Sequence, residues 1–375
     1  MKQKEHNADR KHMTFFLPEL AAGGAERVFI TISGALAERG HRVDLLLARE
    51  CGPLLSDVHP KVTIVPLTNC TPGSSSLRLG LQSLWGLSRY LRKQKPDTLF
   101  STLTGANLVA ILANMLAGKP TKLFVREAST LANVKSRLRL NLMRFLYPGA
   151  DGIIALTDFM GQEMTEKLKL HNCNIHIVGN PVDYQRIQKL ARQEPISETK
   201  RYRPYIVVVG RLSPPKDITT AISALAHLRQ TNKSIDLVVV GEGPLRDTLL
   251  AHAKDCGVEN HVHFVGFQKN PYPWIASAEV FLLSSKWEGY PNVLFEALSL
   301  GKPIVATTYD PSIRKLLPKT QKIIMTPKES HKDFSTAISR LLQNAQKNDK
   351  DLIITKLEKA LEYYESLAIK PVNKN

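Results

Sequence analysis

Short runs of Val, Ile and Leu alternate along the chain with stretches in which apolar residues recur at helical spacing. Continuous apolar strands between amphipathic helices are typical of parallel sheets that are covered on both faces. Thirteen such runs are too many for one ordinary sheet, so we expect two sheets. The predicted strands are MTFFLP, RVDLLLA, VTIVPL, DTLFSTL, KLFVRE, GIIALT, NIHIVG, YIVVVG, IDLVVVG, VHFVGF, VFLLSS, PIVATTY and KIIM.

A polar segment, residues 183–203, separates the two series of strands and follows the sequence GNPVD. The break predicts an α/β protein of two doubly wound Rossmann-like domains, residues 1–182 and 183–375, that face a cleft. It leaves open whether the last helix packs back on the N-terminal domain. In such domains ligands bind at the carboxyl ends of the strands, so the loops after the strands are expected to carry the chemistry.

Length and composition agree with this organisation and narrow the class of partner. A chain of 375 residues corresponds to two domains at roughly 150 residues each. With 43% hydrophobic and 23% charged residues, the composition is that of a globular protein. The 51 Lys and Arg exceed the 34 Asp and Glu, and a net charge of +17 favours an anionic partner: nucleic acid, acidic lipid or a phosphorylated small molecule.

The cysteines and the uncharged segment 98–118 indicate in which cellular compartment the protein is expected and whether it crosses a membrane. The four cysteines lie far apart, which predicts reduced thiols in a cytoplasmic protein and neither a disulfide framework nor a zinc site. Residues 98–118 are long enough to span a bilayer but contain several Ser, Thr and Asn residues. A buried strand (TLFSTL), a polar turn (TGAN) and a short helix (LVAILANML) are the favoured interpretation.

Two glycine-containing loops could approach a ligand closely. Gly23 and Gly24 open a predicted helix, where free N–H groups and the helix dipole favour phosphate, although a tight turn explains them equally well. Neither G-x-G-x-x-G nor G-K-[ST] is present. In the second half, Pro244 after Gly241 and Gly243 is expected to be the first residue of a helix.

Cations and carboxylates follow two strands of the second half. Arg211 and Lys216 come after YIVVVG and suit a pair of phosphate oxygens, the alternative being solvated surface residues. Glu288 precedes a helix predicted over residues 292–300, which Gly301 ends, and Glu296 lies about one turn inside it. These carboxylates could accept hydrogen bonds from sugar hydroxyls, while the amides of residues 293 and 294 could meet a diphosphate.

Together these segments resemble the retaining glycosyltransferases of the large bacterial family called glycosyl transferases group 1, which assemble lipopolysaccharide, capsule and other glycans on the GT-B fold. The resemblance covers nearly the whole chain and includes the family's two glutamates separated by seven residues, Glu288 and Glu296. It rests on GGAERVFITISGALAERGH, IIALTDFM, GNPVD, VVVGRLSPPKD, VVVGEGPLRDTL, HFVGFQKN and SSKWEGYPNVLFEALSLGKPIVAT.

The resemblance implies a role for each matching residue. Arg211 and Lys216 would bind the diphosphate of a UDP- or GDP-sugar and, with Glu288, form the catalytic set. Glu296 would hold the ribose, and Gly23 and Gly24 would let the N-terminal, acceptor-binding domain approach the phosphates. The other residues implied at the donor are Gly210, Gly289, Tyr290, Pro291, Asn292 and Val293.

The resemblance also implies no catalytic metal and no established protein nucleophile. The D-x-D at Asp349–Asp351 is therefore expected to be solvated surface. The chain departs from many relatives at KLFVREAST, where Arg126 and Glu127 replace a histidine near the donor sugar and are expected to contact sugar or acceptor. A second departure, PKTQKIIMTPKES, replaces the usual glycine-bearing segment after TTYDPSIRKLL.

Two basic, Leu-rich stretches lie in the expected acceptor domain, residues 77–95 and 133–149. Basic amphipathic helices can bind anionic membranes, although a core-facing helix with a solvated basic face gives the same pattern. No nucleic-acid-binding motif is present. We therefore expect a transferase on the inner face of the membrane that extends a lipid-linked or envelope glycan. The alternatives are another nucleotide-sugar enzyme, such as an epimerase, and a lapsed transferase that binds nucleotide sugar or membrane.

Overall fold

A computed structural model of the chain describes residues 10–21, 23–70, 75–131, 134, 136–193, 199–231, 234–343 and 356–369. The chain divides into two compact units, Met1–Pro181 with Lys356–Asn375, and Val182–Thr355. All thirteen predicted strands are present among the described residues, seven in the first unit and six in the second. The D-x-D, residues 133 and 135 of the second basic stretch, and residues 194–198 of the polar segment lie outside the described residues.

The first unit is a parallel sheet of seven strands in the order β3-β2-β1-β4-β5-β6-β7. Because the chain runs outward from β1 and returns to β4, these two strands flank the point where the winding direction reverses. The strands are β1 His12–Leu17, β2 Arg42–Leu47, β3 Thr63–Pro66, β4 Thr98–Thr102, β5 Lys122–Arg126, β6 Gly152–Ala155 and β7 Ile175–Ile177. The helices are α1 Gly24–Glu38, α2 Ser76–Gln94, α3 Thr104–Leu116, α4 Arg137–Leu146 and α5 Asp158–Lys167.

A C-terminal helix, α13 Lys356–Ile369, packs on the first unit although it follows the second along the chain. Its Tyr364 is buried, with its ring 5.1 Å from that of Phe100 on β4, and Phe100 stacks in turn on Phe15 at 5.2 Å. Arg39, the residue that follows α1, donates to Glu365 Oε2 at 2.7 Å. Apolar burial and a charge-assisted hydrogen bond therefore hold this helix in place.

The second unit is a parallel sheet of six strands in the order β10-β9-β8-β11-β12-β13. Here the winding direction reverses between β8 and β11. The strands are β8 Tyr205–Val209, β9 Asp236–Val240, β10 Val262–Gly266, β11 Val280–Leu283, β12 Ile304–Thr307 and β13 Ile323–Thr326. The helices are α6 Tyr184–Ala191, α7 Ile218–Gln230, α8 Arg246–Asp255, α9 Tyr272–Ser277, α10 Asn292–Ser299, α11 Ile313–Leu316 and α12 His331–Gln343.

The uncharged segment 98–118 forms β4 and α3, as expected, but the predicted turn TGAN is the first turn of the helix. The chain turns from β4 into α3 at a single residue, Leu103, whose φ of 76° lies in the left-handed region. The side chain of Asn107 supports this turn from inside, because its amide donates to Arg126 O at 3.0 Å. In the described part of the chain, every helix is too short or too polar to cross a bilayer.

Candidate active site

The loops that follow β8 and β11 meet at the carboxyl edge of the second sheet. The two strands are neighbours, with Val207 paired to Phe281, so their loops leave the sheet side by side. After β8 a single 3₁₀ turn, Pro214–Lys216, ends at Asp217, whose φ is 44°. The turn brings Lys216 back toward the sheet edge, next to the loop that carries Glu288.

Lys216 and Glu288 form an ion pair at this edge, with Lys216 Nζ 2.5 Å from Glu288 Oε1. Ser285 Oγ donates to the same carboxylate oxygen at 2.6 Å. The side chains of Lys216 and Glu288 are 21% and 13% exposed, so both are partly desolvated yet reachable from solvent. Lys216 and Ser285 both bind Oε1, which holds the carboxylate in one orientation, while Oε2 has no partner among the residues that the structure describes.

Backbone contacts fix the two loops to each other. Lys286 N donates to Pro215 O, and Ser284 Oγ donates to Lys216 O, both at 2.8 Å. Thr307, the last residue of β12, donates through Oγ1 to Ser285 O at 2.5 Å. The ion pair therefore lies on a framework of loops from three strands, which restricts its geometry.

Two glycines bring the loop after β9 against the loop after β8. Gly210 and Gly241 have φ values of 158° and 142°. A Cβ at position 241 would lie 2.0 Å from Gly210 O, and one at position 210 would lie 3.1 Å from Lys216 Cε. The contact leaves space for backbone only, and it places Gly210 directly beneath the Lys216 side chain.

Replacement of Gly241 by alanine is expected to lower the free energy of unfolding by about 2–4 kcal/mol, because it combines a disfavoured φ with a backbone clash. Gly257 has a φ of 66°, and a Cβ there would have no other atom within 4 Å, so Gly257→Ala is the matched control and should cost only about 1 kcal/mol. Urea denaturation measures both changes. Equal losses in the two variants would contradict the close approach of the two loops.

The contact between the loops after β8 and β9 also bears on where α8 begins. The sequence predicted Pro244 as the first helical residue, but the helix begins at Arg246. The amide of Leu245 donates to Leu212 O at 3.1 Å, so the loop after β8 holds residues 244 and 245 in a turn outside the helix.

Helix α10 begins at Asn292, as predicted, and ends one residue early at Ser299, before Gly301 with a φ of 69°. The amide of Leu294 donates to Pro291 O at 3.0 Å. In the part of the chain that the structure describes, the amide of Val293 has no acceptor. Of the two amides expected at a diphosphate, that of Val293 is therefore the one available.

The remaining donor residues predicted from sequence lie around this helix. Tyr290 is buried and stacks on Phe295 with ring centroids 4.8 Å apart, while Gly289 and Glu296 are half-buried. Arg211 is exposed, and its guanidinium has no ion-pair partner among the residues that the structure describes. The second unit thus gathers Arg211, Lys216, Glu288 and the start of α10 on the loops of one sheet edge.

At the first unit's sheet edge, Gly23 is the N-cap of α1 and Gly24 its first residue, as predicted. The Glu26 carboxylate turns back toward this end, because a Cβ on Gly23 would lie 2.2 Å from Glu26 Oε2. Burial raises the pKa of Glu26, while a hydrogen bond from its own backbone amide opposes that shift. The helix start therefore carries a carboxyl group of its own, and the phosphate contact of Gly23 and Gly24 stays a prediction.

Arg126 and Glu127, expected to contact sugar or acceptor, lie in the interior of the first unit and are each 1% exposed. Arg126 Nη1 donates to Thr102 Oγ1 at 2.8 Å and Nη2 donates to Asn180 Oδ1. Burial lowers the pKa of Arg126 and raises that of Glu127. The Arg126 guanidinium is therefore directed at protein groups within the first unit.

Glu127 is enclosed in the same way. Asn107 Nδ2 and the Tyr147 hydroxyl donate to Glu127 Oε1, and Thr104 Oγ1 donates to Oε2 at 3.1 Å. Both carboxylate oxygens therefore have internal donors, which is the usual requirement for a buried carboxylate. The resemblance implied a sugar or acceptor contact for Arg126 and Glu127. The structure gives both residues protein partners in the interior of the first unit, and the ligand contact stays a prediction.

Sequence reasoning missed three residues at the second-unit site, Ser285, Thr307 and Tyr309. Burial raises the pKa of the Tyr309 phenol, and the charges of Glu288 and Asp310 add to the effect, so Tyr309 stays protonated close to the ion pair. Each of the three follows or ends a strand that was predicted. Position after a strand is therefore the signal that could have identified them.

Comparison with known proteins gives two family matches that together span most of the chain. Residues 22–186 match the family described as Glycosyltransferase Family 4, and residues 192–356 match the family described as Glycosyl transferases group 1. The boundary between the matches falls within residues 187–191, next to the boundary between the two units.

Two curated relatives act on undecaprenol-linked sugars according to their names. N-acetylgalactosamine-N,N'-diacetylbacillosaminyl-diphospho-undecaprenol 4-alpha-N-acetylgalactosaminyltransferase of Campylobacter jejuni is 30% identical over 310 residues, which are 80% of this chain and 82% of that protein. UDP-Gal:alpha-D-GlcNAc-diphosphoundecaprenol alpha-1,3-galactosyltransferase of Escherichia coli is 26% identical over 276 residues, 70% of each chain.

Solved structures show the same fold at low identity. HepE of Anabaena, in complex with UDP and glucose, superposes with a TM-score of 0.72 at 20% identity and 95% coverage of both chains. The catalytic domain of starch synthase IV of Arabidopsis thaliana, bound to ADP and acarbose, superposes with a TM-score of 0.74 at 13% identity, covering 97% of this chain and all of that one.

Proposed function

The chain belongs to the group 1 glycosyltransferases, with the GT-B fold, and from this premise we propose the finer chemistry that its site would perform. It transfers a hexose or N-acetylhexosamine from a UDP- or GDP-sugar to a lipid-linked glycan, with retention of anomeric configuration. The observation that carries the proposal is the contact of Lys216 with Glu288 at the reversal point of the second sheet, beside Arg211 and the start of α10.

The residue types suit the charge that develops in glycosyl transfer. As the bond between the anomeric carbon and the diphosphate breaks, positive charge spreads over the sugar ring and negative charge grows on the leaving oxygen. Lys216, Arg211 and the Val293 amide would stabilise the diphosphate more strongly as its charge grows, which lowers the barrier. Glu288, released from Lys216 by the donor, would accept hydrogen bonds from the sugar hydroxyls.

Retention follows in this proposal from attack on the face that the diphosphate leaves. The acceptor oxygen forms its bond to the anomeric carbon there, and its proton passes to the departing phosphate oxygen. No protein nucleophile and no metal ion are required in this scheme. Glu296 would hold the ribose hydroxyls from within α10, where it is half-buried.

A lipid-linked acceptor is supported by the names of the two relatives, which contain undecaprenol-linked sugars, and it would place the enzyme at the inner face of the membrane. The net charge of +17 suits both the diphosphate of such an acceptor and the anionic lipids around it.

A panel of UDP- and GDP-sugars, supplied with an isoprenyl-diphosphate-linked saccharide, tests the proposal. One donor is expected to release its nucleoside diphosphate in an acceptor-dependent reaction, and NMR of the product should show the anomeric configuration of the donor. A thermal shift with donor but no release of nucleotide would favour the lapsed transferase. Conversion of the donor sugar into an epimer would favour the other class of nucleotide-sugar enzyme.

Replacement of Ser285 by alanine is expected to lower kcat/KM for the donor roughly tenfold, because a hydrogen bond to a charged group is lost and Glu288 gains rotational freedom. Thr231→Ala is the control, since its hydroxyl donates only to Leu228 O at the end of α7. Steady-state nucleotide release measures both variants. Unchanged kcat/KM in Ser285→Ala would show that the serine does not orient Glu288.

A further inference from the structure

Exposed large apolar side chains are concentrated on three helices of the first unit. Of twelve such residues among those that the structure describes, nine lie on α2, α3 and α4. Helix α3 contacts both of the others, so the three form one continuous layer. We call the outer side of this layer the α2–α4 face. Single exposed apolar residues are common on protein surfaces, but a contiguous group marks an interaction surface.

On α2 the exposed apolar residues follow one stripe. Leu77, Leu81 and Trp85 recur every four residues and are 75%, 52% and 64% exposed, while Leu87 and Leu91 on the other side are buried. The helix thus has a core-facing apolar side and a second, outward one, which the alternative of a core-facing helix with a merely basic outer face does not explain.

Helix α4 repeats this arrangement. Leu138, Leu142 and Phe145 share its outward side, with Leu138 and Phe145 70% and 82% exposed, and Met143 packs inward. On α3, Leu112, Met115 and Leu116 are exposed at helical spacing and continue the apolar surface between α2 and α4.

The charge of the α2–α4 face has one sign. The three helices contain no Asp or Glu. Their exposed cations are Arg78, Arg89, Arg92 and Lys93 on α2, and Arg137, Arg139 and Arg144 on α4. Apolar side chains at the centre of a helix face, with Arg and Lys at its flanks, are typical of helices that lie in the interface of an anionic bilayer.

We propose that the α2–α4 face is the surface by which this protein docks on an anionic lipid bilayer, with Trp85 and Phe145 inserted among the acyl chains. The inference rests on the proposed function for its biological setting, because a lipid-linked acceptor lies in such a bilayer. A second copy of this chain suits the face poorly, since two faces that carry cations and no carboxylates repel each other. An acidic bilayer satisfies the cations and covers the apolar residues together.

Sedimentation with vesicles tests the docking. The full chain is expected to bind phosphatidylglycerol vesicles and to bind phosphatidylcholine vesicles far more weakly, with binding to the former declining as salt is raised. Vesicles of brominated lipid should quench tryptophan emission, and Trp85→Phe should remove that quenching. Equal binding to both kinds of vesicle would overturn the proposal.

Two double variants locate the surface. Arg89→Glu with Arg137→Glu, and separately Trp85→Ser with Phe145→Ser, should each weaken binding to anionic vesicles about tenfold or more. The matched controls lie on the second unit: Lys254→Glu with Lys332→Glu changes charge by the same amount, and Leu250→Ser with Phe267→Ser removes exposed apolar residues. Controls that weaken binding as much as the face variants would overturn the assignment of this face.

Nucleotide release measured with donor and the isoprenyl-diphosphate-linked saccharide, but without vesicles, separates this inference from the proposed function. The face variants should keep the nucleotide release of the wild-type protein, which also shows that they fold. Turnover without vesicle binding would overturn the docking surface and leave the function standing. Vesicle binding without turnover of any donor would overturn the function and leave the surface standing. A dimer in sedimentation velocity that Trp85→Ser with Phe145→Ser dissociates would assign the face to a second copy instead.

Discussion

Lys216→Ala is expected to lower kcat/KM for donor turnover by about 10²–10³-fold, the range measured when one preorganised group that stabilises developing charge is removed. Lys216 is the cation that the structure places against Glu288, on a turn held by two hydrogen bonds from the loop after β11. Its removal deprives the leaving diphosphate of a fixed positive charge. A solvated lysine could not be so important, because water would screen it.

The matched control is Lys254→Ala on α8, an exposed lysine of the same unit, which should leave turnover unchanged. Glu288→Gln keeps the size of the side chain and removes its charge, so it reports whether Glu288 acts beyond holding Lys216. Nucleotide release measures activity, and thermal melting confirms that each variant is folded. A loss of less than fivefold in a folded Lys216→Ala protein would contradict the site assignment.

Arg126→Met is expected to lower the free energy of unfolding by about 3–5 kcal/mol, the effect of breaking a buried charge network by removing one partner. The Arg126 guanidinium donates to Thr102 and Asn180 and lies 5.8 Å from the ring centroid of Phe29. Without it, the buried carboxylate of Glu127 loses its neighbouring positive charge, and Asn180 loses a donor. Glu127 and Asn180 would then stay buried away from water with fewer hydrogen bonds and less opposite charge to offset their loss of hydration.

Arg89→Ala on α2 is the control for this variant, because an exposed arginine of the same unit should change stability by no more than about 0.5 kcal/mol. Urea denaturation followed by circular dichroism measures both. Arg126→Lys should recover only part of the loss, since an ammonium lacks the planar fork that reaches two acceptors. A decrease below about 1 kcal/mol in Arg126→Met would show that the guanidinium is not a structural centre of the first unit.

The two domains and their parallel sheets were predictable because each strand is a short apolar run between turn residues. Burial on both faces of a parallel sheet leaves this trace in the sequence regardless of which strands become neighbours. Local rules likewise placed the start of α10 at Asn292 and its end to within one residue, before Gly301. They were wrong at Pro244, because the amide of the next residue is held by Leu212 O on another loop.

For the candidate site, the sequence indicated the loops and most of the residue types, but it did not pair them. Lys216 and Glu288 are 72 residues apart in the chain, and they meet because β8 and β11 are neighbours in the sheet. The positions of the motifs were enough to identify the two glutamates and the two cations as candidate site residues. The role of Ser285 could not be identified in this way, because it depends on a rotamer that points at one carboxylate oxygen of Glu288.

Arg126 and Glu127 show most clearly what the sequence could not predict. A charged pair at the end of a strand is often exposed, but here Asn107 of α3 and Tyr147 donate to Glu127, and Tyr364 of α13 lies beside Arg126, so both residues are buried. The amphipathic pattern therefore determined the elements, their order and the edges at which chemistry lies, since each depends on a few adjacent residues. The tertiary structure alone decided which side chains meet and which helix faces stay uncovered, because both depend on neighbours that are distant along the chain.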